Sequence, residues 1–248
     1  MQRKRVLFFR VGDIISASPP AKEISMKRTK LKDRLLPDYT KGEETMNTVT
    51  HIVGGGLSII MGMLCIIKSA LSGDFWSIFG CCVYAFCMVL LYTMSSVYHG
   101  LKPGTAKKVL QVLDHCTIYF LISGTYTPIL LAALRPAYPK ICWGLMAFEW
   151  LLTAVAIIFT AIDLKRYGVF SMTCYIGMGW AIFPFMKLVI ETMSPGGFLF
   201  LFFGGVSYTV GAALYGAGKK KRWMHSTFHI FVVLGTVLQF ISIFFYAL

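Results

Sequence analysis

Lys219-Lys220-Lys221-Arg222-Trp223-Met224-His225-Ser226-Thr227-Phe228-His229 runs four consecutive cations into two histidines at the head of the last apolar stretch of the chain. Side chains four apart on a helix lie one above the other on one face, so the two imidazoles can share a single metal ion. Cations bunched at the end of a long apolar run mark the cytoplasmic side of a membrane protein. A histidine inside such a run is expensive to bury and marks a functional position.

Outward from that stretch, the chain reads as seven apolar runs: 49–71, 75–98, 109–134, 141–162, 169–193, 197–217 and 224–247. Each is close to the roughly 20 residues that cross about 30 Å of hydrocarbon at about 1.5 Å per residue. Of the 248 residues 56% are hydrophobic and only 14% charged, a balance no soluble domain has. The expected fold is an all-α, seven-helix transmembrane bundle, multi-pass in the cell membrane, with one domain over 48–248. Residues 1–47 precede it as a basic, partly disordered cytoplasmic segment. Within that segment Met26-Lys27-Arg28-Thr29-Lys30 makes a plausible start, so 1–25 can equally be a mis-called extension.

Alternate sides of this topology carry very different charge. Twenty of the 24 Lys and Arg fall on the side of the N-terminal segment, and only Lys68, Arg135, Lys140 and Lys187 fall on the other. That places the N-terminus in the cytoplasm and the C-terminus outside. The same distribution accounts for the net charge of +13 without nucleic acid, which is excluded as a partner. The seven cysteines lie in apolar runs with no paired spacing and read as packing residues. Glycines at 54–56, 177, 179, 204, 205 and 211 permit close helix approach, and Pro128 and Pro184 should kink their spans.

With the spans drawn, the polar residues inside the membrane share one depth. His99 closes the second span with Ser95 a turn deeper; Asp114 enters the third; His225 and His229 enter the seventh; Glu44, Asn47 and His51 mark the entry to the first. Three imidazoles with one open position are the ligand set of catalytic zinc, whereas structural zinc is usually closed and rich in sulfur. His99, His225 and His229 are the expected ligands. Asp114 is placed to orient a water and take its proton, and Ser95 to hold that water or the acid in place. Glu44, Asn47 and His51 are supporting candidates: His51 as a further metal neighbour, Glu44 and Asn47 equally as a cap of the first helix. His115, about 100° around the helix from Asp114, is not expected to ligate. Glu149, mid-span in the fourth run, is either a buried hydrogen-bonded acid or part of a substrate passage, and Lys187 with Glu191 reads as a pair one turn apart.

Glu44-x-x-Asn47-x-x-x-His51, Ser95-x-x-x-His99, Asp114-His115 followed by Ser123-Gly124-Thr125-Tyr126-Thr127-Pro128, and His225-x-x-x-His229 together resemble the signature of the hemolysin III family. That family is grouped with the progestin and adipoQ receptors and the alkaline ceramidases. The resemblance spans roughly 40–248 and rests on four separated motifs in order. It implies a zinc site of His99, His225 and His229 supported by Asp114 and Ser95, and hydrolysis of a lipid amide such as a ceramide, with membrane lipid as environment and substrate. Its name implies haemolysis instead. Two other readings therefore stand beside the zinc hydrolase: a cytolytic pore, and a receptor-like protein with structural zinc. The pore is disfavoured because polar side chains do not line the full depth of the bilayer.

Overall fold

The structure is a computed structural model and describes residues 29–218 and 221–248. The suggested extension 1–25 and two cations of the basic cluster, Lys219 and Lys220, lie outside the described residues. Seven α-helices occur among those described: α1 (Lys41–Ser72), α2 (Phe75–Gly100), α3 (Thr105–Pro128), α4 (Pro139–Ile162), α5 (Gly168–Gly179), α6 (Met186–Gly218) and α7 (Met224–Ser242). α3 runs on as a π-helix over Ile129–Leu134 and α7 as another over Ile243–Ala247. No strand is present among the described residues.

Six helical stretches are long and apolar enough to cross a membrane, so the chain is a multi-pass membrane protein. The predicted fifth and sixth spans fall in one of them, the 51 residues Gly168–Gly218. That stretch is not one rod. α5 ends at Gly179, a 3-10 turn covers Phe183–Phe185 around Pro184, and Ser194 sits at φ 66°, ψ 164° just before Pro195. Proline has no N–H to give the ladder and clashes with the preceding turn, so the helix yields at both prolines. Pro128 acts similarly, at the junction where α3 becomes π-helical.

Each helix is polarised inside out. The buried face of α1 carries Glu43, Asn47, His51, Gly54, Ser58, Met61, Gly62, Cys65 and Ser69, spaced three and four apart. Its opposite face exposes Ile52, Ile59, Ile60 and Ile67. The solvent is hydrocarbon, so apolar residues such as Phe86 (63% exposed) and Leu151 (67%) face outward and the small or polar residues pack. Close approach is tightest where α1 meets α2: a Cβ on Gly54 would lie 2.4 Å from the Tyr92 ring. Gly204 and Gly211 likewise admit α7, whereas Gly56, Gly177 and Gly179 have nothing within 4 Å and make no such contact. Buried hydroxyls satisfy one another, as in Tyr92 to Thr236 (2.7 Å) and Tyr208 to Thr236 (2.9 Å). All seven cysteines are free, and only Cys82 is exposed.

The first helix starts at Lys41, inside the segment expected to be a polar tail. Its cap is Thr40, not Glu44 or Asn47: Thr40 Oγ1 accepts from the Glu43 amide (3.2 Å), and the Glu43 carboxylate accepts from the Thr40 amide (2.9 Å). Residues 29–39 are docked. The Thr29 amide donates to Asp163 (3.0 Å), and the Arg34 guanidinium donates to the Ile162 carbonyl (3.1 Å) at the end of α4. Lys187 and Glu191 form no ion pair among the described residues; Glu191 is hydrogen-bonded with Tyr138.

Candidate metal centre

The starts of α1, α3, α5 and α7 and the ends of α2, α4 and α6 lie at one end of the bundle, and the polar residues gather there. Glu43 links two of these ends. Besides capping α1, its carboxylate accepts from the Trp223 amide (2.7 Å) and from Arg222 (3.4 Å). Trp223 caps α7 in the left-handed region, φ 65°, a conformation that strains a bulky residue unless its surroundings hold it. The Glu43 bond holds it, and so fixes where α7 begins. His225 and His229 follow in the first two turns.

His99, from the end of α2, meets them. His225 Nε2 lies 3.3 Å from His99 Nε2 and 3.1 Å from His229 Nε2. All three are buried, and their candidate ligand atoms lie within 4.8 Å of one another. His99 Nδ1 sits 2.6 Å from Glu44 Oε2, with the Asn47 amide 3.3 Å from the same nitrogen. An ionised carboxylate only accepts, so the imidazole proton belongs on Nδ1 and Nε2 keeps a bare lone pair. Lys107, 3% exposed, holds the other Glu44 oxygen (2.7 Å) and donates to the Leu101 carbonyl (2.8 Å).

The three Nε2 atoms cannot satisfy one another. Three ring nitrogens packed edge to edge at 3.1 and 3.3 Å share at most one or two protons, and His99 has none to offer on that side. A cation at their centre satisfies all three, so the donor set fits a metal ion. His51 stacks on His229 with ring centroids 3.8 Å apart and belongs to the wall of the site, not to the group of ligands. Both of its ring nitrogens are buried without a partner.

A cavity of about 1170 Å³ opens beside the histidines and runs between the helices, with His225, His229, Ser95 and Asp114 in its wall. Asp114 is hydrogen-bonded to none of the three imidazoles; its nearest ionisable partner is His115 at 3.9 Å. His115 is turned away, as its helical position requires, onto the Gln111 carbonyl (2.8 Å) and the Tyr215 hydroxyl (3.2 Å). Glu149 is fully buried away from the cavity wall. Ser123 donates toward it (3.4 Å), and Oε1 has no partner.

Several contributors escaped the sequence. Thr40-x-x-Glu43 is a capping-box pattern and was legible as such. Lys107 looked like one more interfacial cation. Tyr39, whose ring stacks on His225 with centroids 4.8 Å apart and planes at 18°, carried no signal, because its place depends on the path of an irregular segment.

Comparison with known proteins bears on all of these residues. The family model described as haemolysin-III related matches residues 39–240, a span that holds the whole site. Over 206 residues the chain is 36% identical to "Hemolysin-3" of Bacillus cereus, covering 83% of this chain and 92% of that one. Over 208 residues it is 35% identical to "Hemolysin-3 homolog" of Bacillus subtilis, covering 84% and 96%. A more distant likeness, 26% over 182 residues, is to the "Monocyte to macrophage differentiation factor" of Homo sapiens, covering 70% and 72%. No solved structure matches.

Proposed function

Since the chain belongs to the haemolysin-III-related family, we propose that it is a zinc-dependent hydrolase of the cell membrane, acting on a lipid amide or ester. The observation that carries this reading is the triplet of mutually facing Nε2 atoms beside a cavity with a carboxylate in its wall. Three nitrogen donors with room for a fourth ligand fit zinc in a catalytic setting, and no cysteine is near enough to close the site. Zinc, when bound, would polarise a carbonyl and lower the pKa of a water to about 7.

The protein's own residues supply the rest. Glu44 fixes the His99 tautomer. Asp114, free of the imidazoles, takes the proton of the attacking water and later delivers it to the leaving group, and the Ser95 hydroxyl orients that water. The cavity exceeds the roughly 300–1,000 Å³ of an ordinary small-molecule site, which suits a long acyl chain lying between helices.

The proposed topology has seven crossings. Gly168–Gly218 would be about 77 Å long as a helix, more than twice the roughly 30 Å of hydrocarbon, and Ser194 is where it turns back. The Lys and Arg asymmetry orients the histidine end toward the cytoplasm.

Purified protein should hold about one zinc per chain, lose it on His225→Ala, and cleave a long-chain N-acyl lipid. Asp114→Asn should keep the metal and lose turnover. Full activity in metal-free protein removes the proposal. A second reading, membrane lysis, is favoured by the name of the Bacillus relatives; dye release from liposomes that persists after zinc removal would select it.

A further inference from the structure

We infer that Tyr39 is a further catalytic residue, whose phenol donates a hydrogen bond to the substrate's carbonyl oxygen over the three-histidine site. The inference rests on the hydrolase reading and adds the donor that reading lacks. Most other polar groups around the site are spoken for; the unpartnered ring nitrogens of His51 are buried behind His229, whereas Tyr39 is only half-buried. The three Nε2 atoms face the metal position, and Lys107 is held by Glu44 and backbone carbonyls. The Tyr215 hydroxyl meets His115. Asp114 only accepts when ionised, and Ser95 is assigned to the water. A carbonyl under attack gathers negative charge on oxygen, and a hydrogen-bond donor aimed at that oxygen adds to the polarisation zinc would supply.

Tyr39 fills that gap by geometry. Its ring lies almost parallel to His225 at 4.8 Å and tilted at 5.8 Å from His99, so it lies against two of the three imidazoles. It lines the same cavity as Ser95 and Asp114. Its hydroxyl has no hydrogen-bond partner among the described residues, although the ring beneath it is packed. A neutral phenol presents an O–H and acts there as a donor, not a base.

The ring is also held in place. Thr40, the next residue, is locked in the capping box with Glu43, which is itself bonded to the start of α7. Upstream, Arg34 donates to the carbonyls of Ala161 and Ile162, and Thr29 to Asp163. The segment is thus tied at both ends across the mouth of the cavity, with Tyr39 under its inner end. Such a donor reaches the developing charge without reorganising first.

No bond to Tyr39 is made or broken in the step. The water oxygen bonds to the carbonyl carbon as Asp114 takes a proton, and the C=O electron pair moves onto the oxygen that Tyr39 holds. The pair then returns, the bond to the leaving nitrogen or oxygen breaks, and Asp114 passes its proton to that atom.

Tyr39→Phe keeps the ring and the stack and removes one oxygen atom. With the zinc-loaded protein and a long-chain N-acyl lipid, kcat should fall on the order of 100-fold, with KM and zinc content little changed. Binding gives an independent readout. A long-chain hydroxamic acid, which presents a carbonyl oxygen, should bind Tyr39→Phe about tenfold more weakly than wild type. A fatty alcohol of the same length should bind both equally. Wild-type kcat in Tyr39→Phe, or equal affinity for the hydroxamate, overturns the role of Tyr39 while an inactive Asp114→Asn leaves the hydrolase reading standing. Equal loss for hydroxamate and alcohol shows a merely structural part and also overturns it. A wild type that holds zinc and cleaves no acyl lipid refutes the hydrolase reading and this one with it.

Discussion

Glu44→Gln tests the centre at the point where its chemistry is set. In the protein the Glu44 carboxylate stands 2.6 Å from His99 Nδ1 and 2.7 Å from Lys107 Nζ, both within the range of charge-assisted bonds. It holds the His99 proton on Nδ1 and so aims a lone pair at the metal position. Glutamine is nearly the same size but neutral. It can still accept from Nδ1, but it no longer offsets the Lys107 ammonium, which would keep only the backbone oxygens of His99 and Leu101. Loss of such an outer partner typically weakens metal binding by about 10- to 100-fold, or about 1.4 to 2.7 kcal/mol.

The assay is competition for zinc between detergent-solubilised protein and a chelating indicator at fixed pH. Glu43→Gln is the control: one residue earlier, it serves the cap of α1 and the Trp223 amide, so it should lower Tm with less effect on affinity. Wild-type zinc affinity in Glu44→Gln would refute the reasoning, because no other carboxylate pairs with His99 among the described residues.

Gly54→Ala places a methyl 2.4 Å from a Tyr92 ring whose hydroxyl is tied to Thr236, so the ring cannot swing aside; a loss of about 1–3 kcal/mol is expected, read as a lower Tm in detergent. Glu149→Gln should be tolerated, since a neutral amide suits a fully buried position with an unpartnered oxygen, while Glu149→Lys should fail to accumulate in membranes, as immunoblots of membrane fractions would show. Burial pushes the Asp163 carboxyl up, but the Thr29 contacts and the amides of Arg166 and Lys165 outweigh it and hold its pKa at about 2, below the ordinary 3.8. A depressed carboxyl stabilises the docked segment above the unfolded pKa and loses that contribution as pH falls through about 2. Pepsin cleavage within 29–39 should therefore rise between about pH 4 and pH 2 in the wild type and be high throughout in Asp163→Asn.

Much of the bundle was legible because lipid imposes a simple rule. A spanning segment must be long and apolar, and the proposed ends at 75, 162, 224 and 247 coincide with helix ends. The rule fails where polar residues continue a helix beyond the hydrocarbon, as at Lys41–Thr48, which cap, anchor and extend α1. It also fails at Gly168–Gly218, where prolines break the helix at places hydropathy does not register. The three histidines that come together were legible, since histidines have few reasons to lie in apolar runs. Its supports were less so: Glu44 reads equally as a supporting residue and as a cap of the first helix, Lys107 reads as a topology signal, and Tyr39 carries no signal.

By itself, the sequence determined that this chain lives in a membrane, which residues are too costly to bury without purpose, and that they share one end of the helices. It could do so because burial cost and helical rise are local properties of a segment. Only the tertiary structure decided which nitrogen of His99 faces its partners, that Glu44 and Lys107 orient it, and that Tyr39 lies over His225. Those depend on distances of 2.6 to 4.8 Å between groups as many as 186 residues apart. Such distances are set by how α1, α2 and α7 pack and where the segment before α1 is tied, and no periodicity in one segment encodes them.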